Sequence, residues 1–130
     1  MSPRQTLFSA LAAIFAFALP PAAQAFDFRP YRAPVVDKAI HSGAPVIIHV
    51  FAPWCLQCRA QEAILAKLSG DKKFDRISFF KVDYDAQKDV VAALAVPRST
   101  LIAYKGGKEV AHMSWATSQD DVVKVLEAAD

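Results

Sequence analysis

The sequence predicts an α/β domain with a central mixed sheet of four to five strands flanked by helices. Two apolar runs rich in β-branched residues alternate with segments of helical periodicity. A Gly106-Gly107 turn separates two later strand-like runs, and an amphipathic segment ends the chain. The resulting order is helix, strand, helix, strand, helix, strand, strand, helix. Parallel strands joined by crossover helices therefore come first, and a C-terminal antiparallel hairpin and helix complete the domain.

Each element follows from a local pattern. Residues 35–40 suit a short first helix, and the apolar run APVIIHVFA at 44–52 is typical of a strand buried on both faces. Residues 55–69 carry apolar side chains at helical spacing, and Gly70 is the expected helix end. The later elements are a second buried strand over 77–85, a helix over 85–96 with Asp85 as its N-cap, two strands about Gly106-Gly107, and a last helix capped by Thr117 or Ser118.

The composition fits one small domain. With 130 residues, of which 54% are apolar and 22% are charged, the chain can form one core and is too short for two ordinary domains. Its formal net charge is only +2, and the charged residues are scattered along the chain. This balance gives no reason to expect nucleic acid or an anionic membrane surface as a partner.

Residues 1–25 have the layout of a secretory signal peptide, with a basic residue, an apolar run, a Pro-Pro pair and the small-residue pattern AQA before Phe26. The apolar run, residues 7–19, is shorter than the roughly 20 residues that a membrane span needs. We therefore expect a mature domain of residues 26–130 that is periplasmic or secreted and has no stable membrane insertion after cleavage. A retained N-terminal anchor is the alternative.

The only two cysteines, Cys55 and Cys58, lie within HVFAPWCLQC. Such a pair can be a structural disulfide, half of a metal site or a reversible redox pair. In the chain-entropy model, closing so short a loop contributes only about 2 kcal/mol, against roughly 4.7 kcal/mol for a loop of about 100 residues. The spacing therefore favours reversible chemistry over a structural bridge.

The predicted elements place the pair at a strand-to-helix turn. Cys55 begins the helix, so free backbone N–H groups and the positive end of the helix dipole point at its sulfur. This environment favours the thiolate over the thiol. Cys58 lies one turn further along the same helix face, so we expect it to be more shielded and able to reach Cys55.

The chain resembles the thioredoxin family over nearly all of residues 30–130, through the segments VFAPWCLQC, FFKVDYD and TLIAYKGGKEV. The resemblance implies the thioredoxin fold and thiol–disulfide exchange, with no cofactor and no resident metal. Cys55 would be the exposed nucleophile that forms a mixed disulfide with a client, and Cys58 would be the resolving thiol. We expect protein or small-thiol clients, a membrane redox partner and a monomeric state.

Two further residues match supporting positions of the family. Trp54 matches an aromatic residue that shields the nucleophile and forms part of the docking surface, and its alternative role is a partly buried core aromatic. Lys81 matches a buried lysine that assists proton movement around Cys58, and its alternative role is that of a surface lysine. Where many thioredoxins have a buried aspartate, this chain has His49. Its imidazole could exchange the proton of Cys58, or it could be a neutral core histidine, because burial lowers a histidine pKa.

The family's cis-proline is replaced by Ser99 when the following Thr-Leu pair is aligned. We expect Ser99 to be trans, because a cis bond before a non-proline residue costs about 2.5–4 kcal/mol. Pro97 as a displaced cis-proline is the alternative. Arg98 could lie near Cys55, favouring its thiolate or meeting an acidic client, or it could be an ordinary solvated charge. The hydroxyl of Ser99 could donate a hydrogen bond to a sulfur.

Two other functions stay open at this point. Without the proline the sulfurs are more open to metals, and two thiolates suit copper(I), whereas a closed zinc site needs four ligands and the histidines are scattered. A non-catalytic thioredoxin-like binding module is the other alternative. The direction of electron flow is also open, because the intervening Leu56-Gln57 matches none of the familiar dipeptides that tune such pairs.

Overall fold

A computed structural model describes residues 26–130, so the predicted signal peptide lies outside the described residues. Nine helices and strands of this part of the chain follow one another with one short 3-10 turn, Lys72–Phe74, between α2 and β3. Their bounds are β1 Phe28–Pro30, α1 Ala33–His41, β2 Val46–Phe51, α2 Leu56–Leu68, β3 Ser78–Asp83, α3 Lys88–Leu94, β4 Thr100–Lys105, β5 Lys108–Ser114 and α4 Gln119–Ala129.

The five strands form one mixed sheet in the order β1-β3-β2-β4-β5. Strands β1, β3 and β2 are parallel, β4 runs antiparallel to β2, and β5 pairs with β4 as an antiparallel hairpin. The central strand β2 is therefore hydrogen-bonded on both sides, which explains its almost continuous apolar sequence. This architecture confirms the predicted α/β class, the mixed sheet and the closing hairpin.

The structure corrects three details of the expected elements. Strand β1 was not predicted, because it has only three residues and its pattern is mostly exposed. Helix α3 begins at Lys88 instead of residue 85, and Asp85 is not its N-cap. The carboxylate of Asp83 accepts the backbone N–H groups of Asp85 and Ala86, which holds this segment in a turn and delays the helix. At α4 the structure agrees with one of the two expected caps: Ser118 is the N-cap, since its hydroxyl accepts the Asp121 N–H.

Successive residues of β2 point to opposite faces of the sheet and so contribute to two cores. Ile47 packs with residues of α2 and α4, whereas Val46, Ile48 and Val50 pack with residues of the α1 and α3 side. His49 shares the face of Ile47 and therefore lies beneath α2, the helix that carries Cys58. Within residues 26–130, no helix is long and apolar enough to cross a membrane.

Candidate active site

Cys55 and Cys58 form a disulfide at the junction of β2 and α2, with their Cα atoms 5.2 Å apart. Cys55 is the N-cap of α2, with extended backbone angles, and its sulfur accepts the backbone N–H of Cys58 at 3.2 Å. A sulfur in this position takes the place that a serine or aspartate oxygen usually has at a helix N-terminus. In the reduced protein, the same N–H group and the helix dipole stabilise negative charge on Cys55.

Both sulfur-bearing residues are buried in this disulfide form. Cys55 is only 2% exposed, and Cys58 is fully buried. Ala52 completes the small cluster around the two cysteines, and Phe51 and Tyr84 pack against it. The expectation of an exposed Cys55 is therefore wrong for the oxidised protein, because the sulfur turns inward to bond both Cys58 and the helix N-terminus.

Trp54 stands at the surface beside the disulfide, with 55% of its area exposed. Its indole Nε1–H donates to the Asp85 carboxylate at 2.8 Å, and its ring makes an edge contact with Tyr84, the centroids lying 6.2 Å apart. Trp54 is therefore not a core aromatic. Asp85, which was expected to cap a helix, instead fixes the orientation of this indole.

A buried polar network lies directly behind the cysteines, and its centre is Gln61 of α2. The Gln61 Nε2 donates to the carbonyl oxygens of Ser99 at 3.0 Å and Ala116 at 2.9 Å. Its Oε1 lies 3.1 Å from Nε2 of His49. Because carbonyl oxygens only accept, the amide nitrogen must face them, and Oε1 then requires a donor. His49 must therefore carry its proton on Nε2.

Gln61 was not predicted as a site residue from the sequence. A usable signal exists, because Gln61 lies three residues after Cys58 and four before Leu65 on the face of α2 that faces the sheet. A polar residue on such a stripe needs a buried partner. The sequence does not show that the partners come from the Ser99 and Ala116 segments.

His49 is neutral in the folded protein. Burial lowers the pKa of His49 to about 4; the hydrogen bond to Gln61 opposes this shift, whereas the nearby Lys81 charge adds to it. Its Nδ1 is buried and has no hydrogen-bond partner among the described residues. His49 is therefore a neutral core histidine, as the alternative had it. Its Nε2–H is hydrogen-bonded, and its Nδ1 keeps a free lone pair.

Ser99 is buried and has a positive φ of 62°. Its N–H donates to the Val50 carbonyl at 2.9 Å and its carbonyl accepts the Trp115 N–H at 2.8 Å. The Ser99 hydroxyl is buried and has no hydrogen-bond partner within residues 26–130, so it does not bond a sulfur as the sequence suggested. No cis peptide bond occurs between residues 26 and 130, so Ser99 is trans as expected and Pro97 is not a displaced cis-proline.

Arg98 and Lys81 are both engaged with aromatic rings. The Arg98 guanidinium lies over the indole rings of both Trp54 and Trp115, 4.8 Å from each ring centroid, so it is not an ordinary solvated charge. Lys81 is partly exposed, forms an ion pair with Glu62 and lies 4.5 Å from the Phe51 ring centroid. It is therefore neither a fully buried lysine nor a freely solvated one.

The described residues 26–130 contain no group of three or more His, Cys, Asp or Glu side chains placed to hold a metal ion. The three histidines have separate partners: His41 contacts the Asp37 carbonyl, His49 contacts Gln61, and His112 pairs with Glu109. Their arrangement does not add ligands to the two sulfurs.

Comparison with known proteins agrees with this geometry. The thioredoxin family model matches residues 32–128. The chain is 34% identical over 90 residues to an H-type thioredoxin of Fagopyrum esculentum, covering 68% of this chain and 76% of that one. It is 33% identical over 76 residues to thioredoxin Asp f 28 of Aspergillus fumigatus, covering 58% and 68%. The crystal structure of Trxlp from Edwardsiella tarda EIB202 superposes with a TM-score of 0.72 at 35% identity, covering 76% of this chain and 97% of that one.

A redox-active cysteine pair at a strand-to-helix turn of a mixed sheet defines the class of thiol–disulfide oxidoreductases. The chain belongs to the thioredoxin family, and its fold is the thioredoxin fold. Members of this family exchange disulfides with protein thiol and disulfide clients, and this protein is a thioredoxin-like oxidoreductase whose reacting pair is Cys55–Cys58.

The Gln61 network generates a stability prediction. Replacing Gln61 by Leu keeps the volume but removes the donor to Ala116 and the acceptor for His49, and buried polar groups left without partners cost about 1–3 kcal/mol each. We expect Gln61→Leu to lower the free energy of unfolding by about 3 kcal/mol in urea titrations. The matched control is Gln119→Leu, at an exposed position of α4, which should change it by less than about 0.5 kcal/mol. Equal small effects would contradict the network's structural role.

The neutral His49 generates a pH prediction. The unfolded chain binds a proton near pH 6.5, whereas the folded protein resists it down to about pH 4. The contribution of His49 to stability is therefore fully present above pH 6.5 and is lost as the pH falls, by about 3 kcal/mol in total. His49→Asn keeps a donor for Gln61 but cannot titrate, so its unfolding free energy should fall less over this window. Parallel curves for the two proteins would show that His49 is not held neutral.

Proposed function

We propose that this protein exchanges disulfides with extracytoplasmic protein clients, with Cys55 as the attacking thiol and Cys58 as the resolving thiol. The observation that carries the proposal is the N-cap geometry of Cys55, whose sulfur receives a backbone N–H at a helix N-terminus. Cys58 is one helical turn away and fully buried, so it can attack only a disulfide that Cys55 has already formed with a client.

The reducing direction has two steps. The Cys55 thiolate attacks one sulfur of a client disulfide; the Cys55–client bond forms, the client S–S bond breaks, and the departing client sulfur takes up a proton. Cys58 then attacks the Cys55 sulfur, the internal disulfide forms, and the second client sulfur leaves and is protonated. The client gains two electrons and two protons, and the protein, counted from its dithiol form, loses the same number; the Cys55 proton goes to solvent when the thiolate forms. The Cys58 proton is released to solvent in the second step. His49 Nδ1 lies beneath α2 with no hydrogen-bond partner among the described residues, but a pKa of about 4 makes it a weak acceptor for a thiol proton.

The oxidising direction is the reverse of these steps. The reduction potential of the pair decides between them, since a value near about −270 mV belongs to a reductant and one near about −120 mV to an oxidant. An exported reductant needs electrons from across a membrane, so in that case we propose a membrane redox partner and a monomeric protein that alternates between partner and client.

The exchange mechanism predicts different outcomes for the two cysteines. Cys58→Ser should accumulate a mixed disulfide between Cys55 and a model disulfide client, because the resolving sulfur is gone, and the adduct should be detectable by intact mass. Cys55→Ser should form no adduct and show no exchange. A Cys55→Ser protein that still reduces the client, or captures it through Cys58, would overturn the assignment.

Export is the second part of the proposal, and it rests on the signal-peptide layout of residues 1–25. Expressed in a Gram-negative bacterium, the full chain should yield a periplasmic form that begins at Phe26, as N-terminal sequencing would show. A variant that lacks residues 2–25 is the matched control and should stay in the cytoplasm. Recovery of an uncleaved chain in the membrane fraction would instead establish the retained anchor.

A further inference from the structure

Three aromatic and cationic side chains form a continuous surface beside the disulfide: Trp54, Arg98 and Trp115, which we call the Trp–Arg–Trp sandwich. The guanidinium lies 4.8 Å from the ring centroid of each indole. Both indoles are among the exposed large apolar side chains, at 55% for Trp54 and 41% for Trp115. Contact with two aromatic rings restrains a guanidinium, and cation–π contacts leave its N–H groups available as hydrogen-bond donors.

The backbone fixes the sandwich in position. Ser99, the residue after Arg98, donates its N–H to Val50 of the central strand and accepts the N–H of Trp115. Ser99 and Trp115 both have positive φ angles, 62° and 69°, which non-glycine residues rarely adopt. Such conformations persist only where the surrounding structure determines them, and they cluster at ligand clamps. The segment that carries Arg98 is thus pre-organised.

The charge of Arg98 has no acidic partner within residues 26–130. None of the ion pairs and side-chain hydrogen bonds of this part of the chain involves its guanidinium, and its Nε is buried without a partner. Asp85, the acid that contacts Trp54, accepts the indole N–H through its carboxylate and forms no ion pair with Arg98. A partly desolvated arginine in this state gains most from a carboxylate supplied by another molecule.

We propose that the Trp–Arg–Trp sandwich binds a carboxylate that lies next to the cysteine of a polypeptide client, so that Arg98 selects clients with an acidic residue flanking the reacting disulfide. This inference rests on the proposed exchange function and names the clients of the same site. Trp54 directly precedes Cys55 in the chain, so a carboxylate on the sandwich holds the client sulfur near the attacking sulfur.

The extent of apolar surface favours a polypeptide over a small acidic thiol. Leu56, which follows Cys55, is 74% exposed, so large apolar side chains border the attacking cysteine on both sides along the chain. A peptide segment has side chains to cover Leu56 and the two indoles while its carboxylate meets Arg98. Exposed aromatic and arginine side chains of this kind are the residues that dominate protein–protein binding energy.

The test uses the reduced full-length protein and two peptides that differ only beside their single cysteine, with Glu in one and Gln in the other. Each peptide is presented as a mixed disulfide with the same uncharged small thiol, and the exchange rate is measured by quenching and mass analysis. Because the intrinsic reactivity of each peptide is the same for all proteins, the Glu/Gln rate ratio compared between variants isolates the contribution of Arg98. The variants are Arg98→Gln and Arg98→Lys, and the matched control is Arg76→Gln, an exposed arginine just before β3.

At low ionic strength, we expect the Glu/Gln rate ratio of the wild type to exceed that of Arg98→Gln by about fivefold, and the difference to shrink with added salt. Arg98→Lys should keep part of the preference, since it retains the charge but not the planar stack. Arg76→Gln, which lowers the net charge equally, should keep the wild-type ratio.

Three results would overturn the proposal. If the ratio is the same in the wild type and Arg98→Gln while both peptides are reduced, the exchange function stands and the docking proposal is wrong. If the wild type reduces neither peptide, the exchange function fails and the docking proposal fails with it. If Arg98→Gln slows the reduction of glutathione disulfide but not that of the acidic peptide, the occupant is a small acidic thiol, and the assignment to polypeptide clients is wrong.

Discussion

The primary amide of Gln61 is the interaction on which the geometry of the active site depends. One buried side chain joins α2 to β2 through His49, to the start of β4 through Ser99, and to the segment before α4 through Ala116. Because one side chain bonds all three segments, the amide fixes the distance between α2 and each of them. A buried amide that satisfies three partners contributes specificity as well as stability, because no alternative packing supplies the same donors and acceptor.

The amide also determines the chemistry available beneath the cysteines. With Nε2 committed to two carbonyls, only a donor can face Oε1, and the His49 imidazole supplies that donor while remaining neutral. An ionised carboxylate at this position would face the Gln61 oxygen and repel it. His49 and Gln61 therefore depend on each other: the Gln61 oxygen accepts the Nε2–H of a neutral imidazole, and neither group carries a charge whose burial would cost more.

The sequence predicted what depends on local pattern. Continuous apolar runs, helical spacing and the Gly106-Gly107 turn located the main strands and helices, and the strand-to-helix junction placed Cys55 at a helix N-terminus, where its sulfur is found. It did not predict contacts between segments distant in the chain. The partners of Gln61 are 38 and 55 residues away, and Trp115 reaches Arg98 only because β5 returns beside β4. The role of Asp85 was misassigned for the same reason, because its partner Trp54 lies 31 residues earlier.

Access to the oxidised pair is limited by the burial of Cys55, which is only 2% exposed. A thiol that reduces the disulfide needs a neighbouring group to move, and either the Trp54 side chain or the first turns of α2 could do so. The two movements differ in free-energy cost. Moving Trp54 breaks one exposed hydrogen bond to Asp85, an edge contact with Tyr84 and its stacking on Arg98, each worth about 0.5–1.5 kcal/mol. Opening the first turns of α2 would expose Cys58 and leave Gln61 and its buried partners unpaired, at about 1–3 kcal/mol for each group in addition to the lost packing. Displacement of the indole, which precedes Cys55 in the chain and contacts the Tyr84 ring that packs against the cysteines, is the less costly of the two movements.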